Sequence, residues 1–167
     1  PGTYAQYLYS AGQRVKKLVR SSGGATETTV YIDGIMEFRS DSSANTQSVV
    51  HIGEVATVRT GYAFDGMTNI TYELSNHLGS SSYRLSSTGL GIDREEYYPF
   101  GDTSLRTWEK KRYRYVGKEK DQESGLYYYG ARYYAAWTCR FISIDPLAEK
   151  YPFYTPYQYA GNKPINF

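Results

Sequence analysis

Apolar and polar residues alternate with a period of two along nearly the whole chain, and no stretch carries a helical apolar stripe for three turns. This pattern predicts an all-β protein built from short antiparallel hairpins. Residues 14–20 (RVKKLVR) read as a strand closed by the turn-forming Ser21-Ser22-Gly23-Gly24. Residues 28–32 (TTVYI) and 35–39 (IMEFR) flank Asp33-Gly34, a dipeptide that tolerates the positive φ of a type I′ turn, and so predict a hairpin. Residues 48–60 (SVVHIGEVATVRT) are valine-rich and broken at Gly53, where a turn or bulge is expected. A second Asp-Gly, at Asp65-Gly66, sits between residues 62–64 and 67–74, and the recurrence suggests a repeat.

The second half continues with strands over residues 81–86 and 92–98, joined by a turn at Thr88-Gly89-Leu90-Gly91 and followed by Pro99-Phe100-Gly101. Residues 112–116 (RYRYV) alternate strictly and are expected to form a strand, with a turn at 121–125. Residues 126–134 (LYYYGARYY) read as one strand interrupted at Gly130. Beyond Asp145-Pro146, the spacing of Pro152, Pro156 and Pro164 predicts an irregular, turn-rich segment with one helical turn at 147–150.

Composition changes the picture in one respect. Of the 167 residues 40% are hydrophobic, but 20 are tyrosines, so aliphatic core material is thin and tyrosine has to carry much of the packing. Its ring favours strands and cross-strand pairs, and its hydroxyl needs water or a partner, which suits a half-buried sheet. A formal net charge of +2, with only a short charged cluster over residues 109–114, gives no field to steer a nucleic acid. No apolar run is long enough to span a membrane, and no signal peptide opens the chain; both ends read as interior points of a longer polypeptide.

The single cysteine, Cys139, excludes an intramolecular disulfide and a cysteine-rich zinc cage, and it reads as a small, partly buried filler. His51 and His77 lack neighbours of metal-site spacing and read as ordinary strand or loop residues, so neither metal nor cofactor is expected. Residues 79–82 lack the Gly-Lys-Ser/Thr ending of a phosphate loop.

Several local signatures then fall in order. They are Tyr9-Ser10-Ala11-Gly12-Gln13-Arg14, Thr29-Val30-Tyr31-Ile32-Asp33-Gly34, Asn76-His77-Leu78-Gly79-Ser80 and Tyr98-Pro99-Phe100-Gly101. After them come Gly117-Lys118-Glu119, Gly125-Leu126-Tyr127-Tyr128-Tyr129-Gly130-Ala131-Arg132-Tyr133-Tyr134, Arg140-Phe141, Asp145-Pro146-Leu147 and Asn162-Lys163-Pro164. The ordered set resembles the bacterial Rhs/YD-repeat family, most tightly over residues 112–167, where it is similar to the Rhs repeat-associated core domain.

That resemblance implies antiparallel hairpins wound as a spiral shell segment over residues 1–111, ending in an irregular, proline-rich core-domain plug over 112–167. It implies a structural role, enclosing a C-terminal toxin that follows in the same polypeptide, and export to the outside or the cell surface. Relatives so implied include components of insecticidal toxin complexes, interbacterial toxins and the distantly similar shells of animal teneurins. The implied partners are the upstream shell, the toxin segment and a secretion apparatus. A lone fragment would leave strand edges unpaired, so it is expected to need flanking shell or another copy of itself.

The resemblance also implies self-cleavage of aspartic-protease type, carried over here onto Arg140 and Asp145, with a second acid expected just beyond Phe167. Such chemistry needs two carboxylates sharing a proton, one to activate water and one to protonate the amide nitrogen. Asp145 would be held extended by Pro146 and desolvated by Ile144 and Leu147. Its alternative reading is an Asp-Pro turn opener, and Arg140 could equally be an exposed strand arginine. The family carries glycine where Cys139 stands, so a left-handed backbone there would strain the cysteine. A tyrosine-rich adhesive surface remains a further functional class.

Overall fold

The computed structural model describes residues 2–64, 66, 67, 69–107 and 110–166. The chain is all-β apart from single 3-10 turns, as its period of two predicts. The strands are β1 (Tyr4–Ser10), β2 (Gln13–Arg20), β3 (Thr26–Ile32), β4 (Met36–Asp41), β5 (Thr46–Ile52), β6 (Ala56–Gly61), β7 (Ile70–Ser75), β8 (Ser81–Ser86), β9 (Gly91–Tyr97) and β10 (Thr103–Arg106). These ten follow one another in sheet order as in sequence, an antiparallel meander. A second sheet has the order β11 (Tyr127–Tyr128), β12 (Tyr133–Ala135) and β13 (Arg140–Phe141). The chain divides into two compact units, residues 1–74 with 83–92, and residues 75–82 with 93–167.

In the first unit the hairpin at Asp33-Gly34 forms as expected, with φ of 53° and 68° and the Ile35 amide donating to the Ile32 carbonyl at 3.0 Å. Gly53, at φ 54°, turns the valine-rich run back on itself as β5 and β6. The turn expected at Asp65-Gly66 lies partly outside the described residues, since Asp65 is not among them.

Alternation gives this unit two faces, and the polar one is the more buried. Register places Lys17, Thr29, Arg39 and Gln47 in one cross-strand row, and Tyr31, Glu37, Val49 and Arg59 in the next. All of these except Tyr31 are buried. Buried charge is tolerable only when paired. Arg39 meets Glu27 at 2.7 Å and donates to Gln47 Oε1 at 3.2 Å, its guanidinium lying 4.8 Å from the Phe64 ring centroid. Arg14 sits between the rings of Tyr7 and Tyr31, at 5.2 and 5.1 Å. Glu37 pairs with His51 at 3.1 Å, and Arg59 donates to Thr71 Oγ1 at 2.8 Å. Flat guanidinium and aromatic groups thus roof the sheet with its own side chains. The opposite face carries Val30, Met36, Val50 and Val58, half-buried, with Ile32, Phe38, Ile52 and Tyr72 exposed.

The second unit has an aromatic core of Tyr115, Tyr127, Tyr134, Ala136, Phe141 and Tyr159. Its rings meet mostly tilted or edge to face, with Tyr134 stacked on Tyr159 at 4.2 Å. Their hydroxyls find backbone acceptors: Tyr115 donates to Pro99 O at 2.7 Å, Tyr134 to Phe100 O at 2.7 Å and Tyr127 to Gly101 O at 3.3 Å. Gly101, at φ 85°, is pressed so closely by the Tyr115 ring that an added Cβ would lie 2.4 Å from it.

Two expectations fail here. Residues 112–116 are not a strand: Tyr113 makes a single bridge to Glu119, and Tyr115–Gly117 is a tight turn that swings Tyr115 into the core. Residues 126–134 are not one interrupted strand but the hairpin β11–β12, reversed at Gly130. The turn at 121–125 forms, with the Gly125 amide donating to Asp121 O at 2.7 Å, and 147–150 includes the 3-10 turn Ala148–Lys150.

Candidate functional site

The second unit places Asp145 at the rim of a cavity of about 370 Å³. Beyond β13 the chain runs beside its own later segment, with the Phe141 amide donating to Tyr157 O at 3.0 Å and the Asp145 amide to Pro156 O at 2.9 Å. Residues 146–155 therefore form a closed loop that carries Ala148, Tyr151, Tyr154 and Thr155 into the cavity lining. Asp145 opens this loop as an Asx turn: its Oδ1 accepts the Leu147 amide at 2.8 Å.

The other oxygen, Oδ2, meets Arg132 Nη2 at 2.9 Å. Arg132 follows the Gly130 turn, fixed by a hydrogen bond from the Tyr129 amide to its carbonyl at 2.9 Å. Its guanidinium lies over the Phe141 ring, 3.7 Å from the centroid, while Nη2 meets the carboxylate. The Arg132 side chain is 17% exposed and Asp145 31%, so water reaches the pair and it adds little to stability. Its value lies in orientation.

Aromatic rings from Phe141, Tyr151, Tyr154 and Tyr159 also line the cavity. Tyr159 lines the cavity, and its hydroxyl lies 2.9 Å from that of Tyr129. Burial pushes both phenols well above the ordinary tyrosine range, the neighbouring phenol raising Tyr159 further, so both stay protonated and neither can serve as a base. Thr155 and Gln158 supply the neutral polar lining.

Among the described residues that line the cavity, Asp145 is the only carboxylate. It can take a proton from water or hold a cation, but a shared-proton dyad needs a second acid brought from elsewhere. Of the residues named from sequence, Asp145 sits in the cavity, while Arg140 lies exposed on β13, where its backbone pairs with Ala135 and Gln158. Arg132, not Arg140, meets the carboxylate. Ile144 and Leu147 are exposed and do not wall it in.

Cys139 is exposed and not the partly buried filler expected, and its φ of 59° is the left-handed conformation anticipated at that glycine position. His51 lies on β5 against Glu37, and His77 faces the Ile165 carbonyl at 3.3 Å. Among the described residues no group of three or more His, Cys, Asp or Glu could hold a metal ion, and no helix is long and apolar enough to cross a membrane.

No family model matches the chain. It is 37% identical to the toxin subunit YenC1 of Yersinia entomophaga over 165 residues, which covers 84% of this chain and 16% of that protein. It is 41% identical to the toxin subunit YenC2 of the same organism over 92 residues, covering 49% of this chain and 9% of that one. The crystal structure of TcdB2-TccC3-Cdc42 superimposes with a TM-score of 0.85 at 31% identity, covering 98% of this chain and 9% of the matched chain. The chain is thus homologous to Tc toxin subunits, and it spans a small part of their length.

Proposed function

We propose that the chain is a wall segment of an Rhs-type toxin carrier that encloses a C-terminal effector, with residues 112–167 forming the repeat-associated core. The observation that carries this reading is the superposition of 98% of the chain, at a TM-score of 0.85 and 31% identity, on part of a Tc toxin complex. The chemistry of the first unit supports it: a sheet that covers one face with its own side chains and leaves valine, isoleucine and phenylalanine on the other is a partition, incomplete by itself. Its partners would be the upstream wall and the downstream effector of the same polypeptide, and its place outside the producing cell, reached through an export apparatus.

The Arg132–Asp145 pair supports a second element, release of the effector by autoproteolysis. Asp145 would act as one carboxylate of a dyad and activate water, while Arg132 holds it in register. The full-length natural polypeptide tests both. Encapsulation predicts that the C-terminal segment resists added protease while the carrier is folded; rapid digestion of that segment would end the carrier reading. Release predicts two polypeptides in the natural protein and one in Asp145→Asn, with Arg132→Met slowed at least tenfold and Arg140→Ala unaffected. Undiminished cutting in Asp145→Asn would remove the release step and leave encapsulation standing.

A further inference from the structure

Strand β9 carries Asp93 and Glu95 two residues apart, hence on one face, and both side chains are buried. Lys111 reaches the same place from the segment after β10, and its side chain is 2% exposed. Its Nζ donates to the Ser81 carbonyl at 2.7 Å, and lies 3.8 Å from Asp93 Oδ1 and 3.6 Å from Glu95 Oε2. Arg114 fixes Glu95 from the far side, its Nε donating to Oε2 at 3.1 Å with a second contact from Nη2 to Oε1, and the Thr103 hydroxyl donates to Oε1 at 3.1 Å. Tyr97, on the same face of β9, shares the Ser81 carbonyl at 3.0 Å.

A buried ammonium and carboxylate normally close to a direct hydrogen bond. Here the amine stands just outside that distance from Asp93, with a carbonyl and a second carboxylate holding it there. This is the arrangement for condensation: an amine nucleophile beside a carboxyl group, a fixed second acid to carry protons, and all three side chains withdrawn from the surface. We propose that Lys111 and Asp93 form an intramolecular isopeptide bond, with Glu95 as the proton carrier.

In the reaction one proton passes from the Lys111 ammonium through Glu95 to the Asp93 carboxylate. The neutral amine attacks Cγ of Asp93, Glu95 takes a second proton from the nitrogen and returns it to the departing oxygen, and the C–O bond breaks. An ammonium and a carboxylate become a neutral amide and water, so no oxidant, cofactor or net charge change is needed. The bond ties β9 to the segment that follows β10 within the second unit.

Intact mass measurement of the denatured natural protein reads the bond directly. The expected mass is about 18 Da below that of the sequence, one water lost, with a branched peptide joining Lys111 to Asp93 after proteolysis. Asp93→Asn should instead lose ammonia, about 17 Da, because the amide offers the same carbonyl carbon with a different leaving group. Glu95→Gln and Lys111→Arg should run at their sequence masses. The wild-type reading stands on its own if a variant fails to fold: a full sequence mass and two separate linear peptides from folded protein would overturn the proposal.

Discussion

The first unit buries Arg14, Lys17, Glu37, Arg39, Gln47 and Arg59 on one face of a sheet, whereas the aromatic core of the second is made chiefly of tyrosines. Each is an answer to a shortage of aliphatic residues. In the first, guanidinium groups lie against rings and pair with carboxylates, mostly between adjacent strands, with Arg39 also reaching Phe64 beyond β6. In the second, rings pack on rings and each phenol must find its own acceptor, often far along the chain. Polar burial of the first kind spreads its dependence along a meander; the second concentrates it at a few rings.

Raising the pH should separate the two most sharply. Burial holds the phenols of Tyr115, Tyr127, Tyr129, Tyr134 and Tyr159 above their ordinary value of 10.0 in the folded state. A group whose folded pKa is raised lends stability that is complete below the unfolded pKa and declines as pH rises through and beyond it. The second unit should therefore unfold cooperatively above about pH 10, with tyrosinate absorbance appearing in one step while strand dichroism from the first unit persists. Gradual ionisation, ring by ring, would deny the core its cooperativity.

Next in size is Tyr134→Ala. It removes a ring with no exposed surface, stacked on Tyr159, and should cost about 3–5 kcal/mol by urea denaturation, against about 1 kcal/mol for Tyr134→Phe, which loses only the hydrogen bond to Phe100. The smallest effect belongs to the first unit. Arg39→Met keeps the stem over Phe64 and loses the contacts to Glu27 and Gln47, and because Glu27 reaches water the loss should be about 1 kcal/mol. A loss as large as that of Tyr134→Ala would erase the contrast between the two interiors.

The strands of the first unit were largely legible because alternation and Asp33-Gly34 are local signals, though β1 (YAQYLYS) went unread. Alternation assigns residues to two faces but does not say which is covered; the inversion at Arg39 and Phe38 follows from rings and guanidinium groups meeting across strands. In the second unit RYRYV satisfies the strand period, yet Tyr115 turns inward because Pro99 offers its hydroxyl an acceptor sixteen residues away. Asp145 entered through the family resemblance, its proline neighbour by itself pointing to a turn opener, which its Asx turn to Leu147 is. Arg132 was not singled out, since its position against Asp145 depends on the pairing of β12 with β13, which no local pattern encodes. The same holds for Lys111, read only as part of a charged cluster.

The turn at Pro99, Phe100 and Gly101 offers three successive carbonyls to phenols at positions 115, 134 and 127. Ribosomal synthesis is vectorial, so this bend is translated before any of its three anchors. The meander ahead of it can zip up as it emerges, strand by strand. The bend can close its own hydrogen bond from the Gly101 amide to the Tyr98 carbonyl, but its set of phenol donors is complete only when Tyr134 arrives.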